Sequence, residues 1–475
     1  MSDCCDRKNN GSYDVAVIGA GSAGFSAAIT AADEGAQVAL IGYGTIGGTC
    51  VNVGCVPSKA LIRAAETLHV AYAADRFDGI EASARVTDWG AVVKQKQDLV
   101  NHLRKAKYSD VLPAYNSLAY LEGEATFSDE GTLTVNGNAI DAKKIIIATG
   151  TRPALPSIEG IENVSYLTST TALELETLPE SLLVIGAGYI GAEIAQVFAR
   201  AGVKVTIISR RGLLPEAEPE IREALTNYFE QEGICLVSGI TYDRIGTKGD
   251  SVVLTIQEDG ETRTVTAEKV LIATGRAPNT DRLNLAAAGI ELTANRGVKV
   301  DAQMRSTRDG IYAAGDVTGQ DQFVYMAAYG AKIAAKNAVN GNSLSYDNSV
   351  MPAVVFTDPQ VASVGLTEVQ AKAQGIDVRT SVLTLDNVPR ALAARDTRGL
   401  IKLIADGKTK KLIGAHILAP EGSDSIQTAV LAIKAGMTYE DLGATIFPYL
   451  TTVEGLKLAA QTFDMDVKKL SCCAG

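Results

Sequence analysis

The chain has 475 residues, 46% of them hydrophobic and 21% charged, with a formal net charge of −11. That length suits about three domains, and an acidic balance without blocks of like charge argues against a surface built for nucleic acid or for a membrane. No run of about twenty apolar residues could span a bilayer, and the polar start, Met1 to Ser12, lacks the apolar core of a signal peptide, so the expectation is a cytoplasmic protein.

Tyr13 to Ile18 is a continuous apolar run, the pattern of a buried parallel strand. Gly19-Ala-Gly21-Ser-Ala-Gly24 follows at once and opens an alanine-rich helix, Phe25 to Asp33, before a second strand at Gln37 to Ile41. In the order strand, GxGxxG, helix, strand, the glycines read as a dinucleotide site with the pyrophosphate at the helix N-terminus. One departure stands out. The acidic residue that holds a ribose after the second strand is missing, and Gly42 takes its place. The substitution Gly42→Glu is therefore expected to tighten the dinucleotide by up to the ~1–3 kcal/mol of a charge-assisted hydrogen bond.

Gly47 to Lys59 reads Gly-Gly-Thr-Cys-Val-Asn-Val-Gly-Cys-Val-Pro-Ser-Lys. On a regular helix the Cα atoms of Cys50 and Cys55 would lie about 8.6 Å apart, whereas a disulfide needs them within about 7 Å. If the two pair, the first helical turn must be distorted, and Gly54 is placed to allow it. Cys50 also falls near a helix N-terminus, whose dipole favours thiolate. The plain alternative is two buried cysteines in a helix.

Residues 61–118 read as a pair of solvated helices, charged through Lys94 to Asp98. Strand-like segments follow at Ala119 to Phe127, Thr132 to Val135 and Lys144 to Gly150, and the proline-rich Thr151 to Pro156 reads as a boundary. A second fingerprint then begins. Leu182 to Ile185 is its strand, Gly186-Ala-Gly188-Tyr-Ile-Gly191 opens a helix to Arg200, and Lys204 to Ile208 is its second strand. The acid is absent here too, but Ser209-Arg210-Arg211 replaces it, and arginine suits a 2′-phosphate, favouring NADP over NAD. Lys269 to Gly275 repeats the pattern of Lys144 to Gly150, so two nucleotide-binding units stand about 165 residues apart. Ile311 to Asp316 ends a further strand in Gly315 and a carboxylate. Met351 to Gly475 reads as another domain of strands, a helix near Ser425 to Ala435, and Phe447-Pro448-Tyr449.

Seven cysteines fall as Cys4-Cys5, Cys50 and Cys55, a lone Cys235 and Cys472-Cys473, too unevenly for an extracellular disulfide framework. Cys235 is expected in the core. The three histidines, His69, His102 and His416, show no metal-ligand spacing.

The Gly47–Lys59 stretch resembles the redox-active site of the flavoprotein disulfide reductases, the glutathione reductase and lipoamide dehydrogenase family. With the chain end Leu470-Ser-Cys-Cys-Ala-Gly475, the resemblance is to the catalytic core of its mercuric reductase branch, from about Tyr13 onward. It implies an α/β fold of two Rossmann-like dinucleotide-binding domains, for FAD and NADPH, with an α+β C-terminal dimerisation domain. The implied layout is a flexible tail 1–11, an FAD domain 12–156 completed by 286–350, an NADPH domain 157–285, and an interface domain 351–475. Gly19, Gly21, Gly24, Thr49, Thr149, Gly150 and Asp316 would meet FAD. Gly186, Gly188, Gly191, Ser209, Arg210, Arg211 and Gly275 would meet NADPH.

The same resemblance gives Lys59 and Glu193 as an ion pair beside the flavin and Tyr189 as a movable ring covering it, ordinary helix packing being the plainer role for that tyrosine. Family members acting on disulfides carry a His-Pro-Thr acid–base motif followed by a glutamate. This chain has Tyr449 in place of the histidine and keeps Glu454. A phenol of ordinary pKa near 10 is a poor base near neutrality, so exchange with an organic disulfide is disfavoured. Thiolates select soft metals. Cys472 and Cys473, from the partner in a homodimer, would take Hg(II) from a thiolate complex and pass it to Cys50 and Cys55. Cys4-Cys5 reads equally as a second collecting pair or as plain tail. The expected activity is NADPH-dependent reduction of Hg(II); the alternatives are an NADPH-dependent disulfide reductase and a metal-sequestering protein.

Overall fold

Each apolar run that precedes a glycine fingerprint lies inside a parallel sheet. The computed structural model describes residues 12–469; Cys4, Cys5, Cys472, Cys473 and the expected tail 1–11 lie outside them. The described chain divides into two units. One comprises the residues to Ser58, Lys94–Ala154 and Gly275–Asn348; the other comprises Lys59–Val93, Leu155–Thr274 and the residues from Ser349 onward.

In the first unit a five-stranded parallel sheet runs in the order Ile311–Ala313, Asp141–Ile147, Ser12–Ile18, Val38–Gly42, Leu118–Glu122. Ser12–Ile18 is central, and Val15, Ala16 and Val17 are at most 1% exposed. A strand covered on both faces has no use for alternation, which is why its sequence is unbroken apolar. One face is packed by the helices Ser22–Asp33 and Val324–Asn340. Their buried residues include Ala27, Ala28, Ala31, Ala331, Ala334 and Ala335, so small side chains let the two helices lie close. The expected strand from Ala119 to Phe127 is two strands, Leu118–Glu122 in the large sheet and Ala125–Phe127 in a small antiparallel one. The helix Trp89–Arg104 is not simply solvated: Trp89, Val93 and Val100 are buried.

The second unit repeats the plan. Its four-stranded parallel sheet has the order Cys235–Ser238, Lys204–Ser209, Ser181–Ile185, Lys269–Ile272. Cys235 is exposed rather than in the core. It is the first residue of the edge strand, between the buried Ile234 that precedes the strand and the buried Val237 within it. The C-terminal part is a five-stranded antiparallel sheet packed by the helices Gly422–Lys434 and Glu454–Gln461. The fold class is thus α/β, with two dinucleotide-binding sheets and an α+β C-terminal domain. No described helix is long and apolar enough to cross a membrane.

Both fingerprints end in a glycine that lets helix and loop touch. A Cβ on Gly24 would stand 1.6 Å from the Gly19 carbonyl oxygen, and one on Gly191 would stand 2.1 Å from that of Gly186. Backbone cannot yield as a flexible side chain can, so Gly24→Ala and Gly191→Ala should each cost about 1–3 kcal/mol or more. Urea unfolding followed by circular dichroism measures this, and an unshifted midpoint for either variant would refute the packing argument.

Candidate active site

The thiol segment is seated directly on the first fingerprint loop. The Gly47 N–H donates to the Ala20 carbonyl at 2.8 Å, and a Cβ on Gly48 would lie 2.6 Å from the Gly21 Cα. From there a short helix, Gly48–Val53, breaks at Gly54 (φ −129°, ψ −109°), and a long helix, Cys55–Tyr72, begins. The distortion expected between the two cysteines is present. Cys50 lies in the first turn of the short helix, near its N-terminus as expected, and because the backbone turns at Gly54, Cys55 opens the long helix. Asn52 locks the turn: its Nδ2 donates to the carbonyls of Ile46 and Gly48 at 2.9 Å each, and Arg104 donates to its Oδ1 at 3.1 Å. Both cysteines are half-buried and Thr49 is exposed.

Tyr108 flanks the pair. Burial, and to a lesser degree the charges of Cys50 and Cys55, push its phenol above the ordinary value, a hydrogen bond shared with Ser22 (3.3 Å) opposing. Elsewhere in the same unit the Thr151 hydroxyl donates to Asp316 Oδ2 at 3.1 Å and accepts from Arg276 Nε at 2.7 Å. Burial raises the Asp316 carboxyl; the Thr151 bond and the Arg276 charge oppose it. Thr149 and Gly150 are fixed by Asn279: the Thr149 hydroxyl donates to the Asn279 carbonyl (2.8 Å), and the Asn279 N–H donates to the Gly150 carbonyl (2.9 Å). The Gly275 carbonyl accepts from the Ala154 N–H at 3.0 Å.

In the second unit Lys59 and Glu193 do meet. Lys59 Nζ donates to Glu193 Oε2 at 2.8 Å and lies 4.6 Å from the centre of the Phe356 ring. The Phe356 N–H donates to Glu193 Oε1 at 2.9 Å. Both oxygens of a buried carboxylate are therefore engaged, which meets the requirement for burying it. Tyr189, 37% exposed, is the first residue of its helix and lines a cavity of about 130 Å³ with Glu216, Val355 and His416. Burial raises its phenol, with Glu216 adding to the effect. At the end of the second strand, Ser209 Oγ accepts from the Arg211 N–H at 3.3 Å, and the Arg211 side chain pairs with Glu216 at 2.9 Å. Arg210 and Arg211 are both exposed. Tyr449 is 54% exposed, and Glu454 accepts the N–H of the adjoining Leu450 at 3.0 Å, fixing the turn that carries the tyrosine.

Residues 13–397 match the pyridine nucleotide-disulphide oxidoreductase family, and residues 351–460 match that family's dimerisation domain. The chain belongs to this family. Among its relatives is a mercuric reductase of Lysinibacillus sphaericus, 48% identical over 98% of this chain and 85% of that protein. Another, from Streptomyces lividans, is 47% identical over 98% of both. A similar solved structure is the Cu(II) complex of the HOCl-induced flavoprotein disulfide reductase RclA from Escherichia coli, with a TM-score of 0.85 and 32% identity over 95% of this chain and 99% of that one.

The residues present fit two bound dinucleotides. Nothing lies within 4 Å of a Cβ placed on Gly188, so the space over the second fingerprint is open where a pyrophosphate would lie. In the first unit the half-buried Asp316 carboxylate is aligned by Thr151, which Arg276 holds in turn. Sequence reasoning missed Thr151, Arg276, Tyr108 and the Phe356 amide. Arg276 alone left a signal, standing directly after the repeated Thr-Gly of Thr274-Gly275.

The expectation for Gly42 is overturned. A Cβ there would stand 2.3 Å from the Tyr120 hydroxyl and 2.7 Å from its ring, so Gly42→Glu collides with a stiff aromatic side chain before it can help a ribose.

Gly188 has φ −79°, which alanine adopts freely. Gly188→Ala should therefore leave stability unchanged while weakening the pyridine nucleotide by roughly tenfold, about 1.4 kcal/mol. Titration of the oxidised protein with NADP⁺ reads this, and wild-type affinity would place the pyrophosphate elsewhere.

Proposed function

We infer that this chain reduces Hg(II) to elemental mercury with electrons from NADPH, through FAD and the Cys50–Cys55 dithiol. The observation that carries this is identity of 45–49% to seven mercuric reductases over 98% or more of the chain. The local chemistry agrees. FAD, when bound, would supply the electron pair of NADPH to the Cys50–Cys55 site, where a disulfide takes it to become the dithiol, or Hg(II) held by the two thiolates takes it to become Hg⁰; the chain's own part is to present the thiols, the charges and the metal path. Hg(II) bound by two small thiolates exchanges both for Cys50 and Cys55, releasing the two thiolates. The balance is Hg²⁺ plus NADPH giving Hg⁰, NADP⁺ and a proton.

Lys59, one helical turn beyond Cys55, holds a positive charge fixed by Glu193. In our reading it favours the electron-rich state of the site. Tyr189 is the ring that must yield to nicotinamide, and Ser209, Arg210 and Arg211 favour NADPH. Gly19, Gly21, Gly24, Thr49, Thr149, Gly150 and Asp316 line the FAD side; Gly186, Gly188, Gly191 and Gly275 line the other. The proposed layout assigns 12–156 with 286–350 to FAD, 157–285 to NADPH and 351–475 to a homodimer interface, in the cytoplasm. Tyr449, with no acid–base histidine beside it in sequence, argues against a disulfide substrate.

The deciding experiment follows NADPH or NADH oxidation with Hg(II), with oxidised glutathione, and with neither, in excess small thiol. Oxidation that needs Hg(II) and prefers NADPH is expected. Oxidation driven by the disulfide alone would favour the disulfide reductase, and Hg(II) binding without oxidation would favour sequestration.

Cys472 and Cys473 are proposed as the relay that collects metal for the partner's inner pair. Replacing both with alanine should spare flavin reduction by NADPH. Turnover should fall by at least about tenfold when Hg(II) arrives with bulky thiols, and persist when it arrives as a labile bromide complex. Steady-state assays on the two complexes check this. Full turnover on bulky complexes would remove the relay, and equal loss on both would make the tail merely structural.

A further inference from the structure

We propose that the Tyr120 hydroxyl, standing where a strand-end carboxylate would otherwise be, hydrogen-bonds the adenosine ribose of FAD. The strands Val38–Gly42 and Leu118–Glu122 are parallel neighbours, with Leu40 opposite Tyr120 and Gly42 opposite Glu122. Tyr120 and Gly42 are thus diagonal neighbours on one face. The ring leans along the strand until its hydroxyl lies 2.3 Å, and its Cε2 2.7 Å, from the point a Cβ of residue 42 would occupy. An acidic side chain at 42 would have to leave the strand through that point. Tyrosine fills the same space and brings a polar atom to it, so Gly42 and Tyr120 form one arrangement: the glycine clears room for the ring, and the ring supplies the missing polar group.

The rest of the side chain is held. Tyr120 is half-buried against the cluster that contains Val17, Leu40 and Ala28. Burial, with the Glu122 charge adding, keeps its phenol protonated through neutrality, so the group is a hydrogen-bond donor. No hydrogen bond from a described residue tempers that effect. A ribose hydroxyl can accept this proton, as it would donate its own to a carboxylate. The exposed Glu122, opposite Gly42 at the strand end, is the competing candidate.

Holoenzymes carrying either FAD or an analogue whose adenosine lacks both ribose hydroxyls separate these possibilities. Release of the flavin into excess trapping apoflavoprotein is followed by fluorescence for the wild type, Tyr120→Phe and Glu122→Gln. The proposal expects Tyr120→Phe to release FAD roughly two- to tenfold faster and the analogue at the wild-type rate. Equal acceleration with both ligands would make Tyr120 a packing residue. An unchanged FAD rate, or a ribose-dependent effect in Glu122→Gln alone, would also overturn the assignment. Because release is measured without Hg(II), its failure leaves the proposed reaction untouched, and failure of that reaction leaves this result standing.

Discussion

The contact on which the first unit depends is between two stretches of bare backbone. Gly48 lies so close to Gly21 that a methyl group would not fit, and the Gly47 N–H is bound to the Ala20 carbonyl. These contacts make the first glycine-fingerprint loop the platform from which the thiol helix departs. A reactive sulfur needs positional precision that a free loop does not give. Here the precision is inherited from the sheet, because the Gly19–Gly24 loop is itself held between Ser12–Ile18 and the helix Ser22–Asp33.

Charge is managed differently in the two units. In the second, Glu193 is buried with both oxygens engaged, one by the Lys59 ammonium and one by the Phe356 amide. A carboxylate so bound fixes where the Lys59 ammonium stands. In the first, Asp316 is linked to Arg276 through the Thr151 hydroxyl, and burial works against its charge while the arginine works for it. The first arrangement holds a cation in place; the second holds a carboxylate that is costly to keep charged unless a ligand also binds it. Each is a means of fixing one charged group with a second group bonded to it directly or through a hydroxyl.

Much of the fold was legible because its signals are local. Tyr13–Ile18 and Leu182–Ile185 are unbroken apolar runs, and each meets its glycines at once, so both central strands and both helices follow from short stretches. The break at Gly54 was legible for the same reason, since two cysteines five residues apart cannot pair on a regular helix. What escaped was set by tertiary neighbours. Phe356 acts through its backbone amide, which every residue type carries. Thr151 and Arg276 are separated by more than a hundred residues and meet only because their strands pair antiparallel. Cys235 was misplaced because nothing local marks an edge strand, where a small apolar residue can face solvent. Gly42 misled most, since an absence in the sequence was filled in space by a residue from another strand.

The duplication explains why some parts were readable and others were not. Both units need a tight loop and a close helix, and both meet that need with the same glycines, so Gly24 and Gly191 crowd the same kind of carbonyl oxygen. No such common demand acts on the end of the second strand. There the first unit has glycine beneath a tyrosine ring, and the second has Ser209 bonded to the Arg211 amide, with two arginines in solvent. The glycines answer to backbone geometry, which any dinucleotide imposes alike. The strand end answers to the ribose and its substituents, which differ between ligands. Discrimination between two cofactors on one repeated frame therefore has to be sought at the positions where the repeat fails.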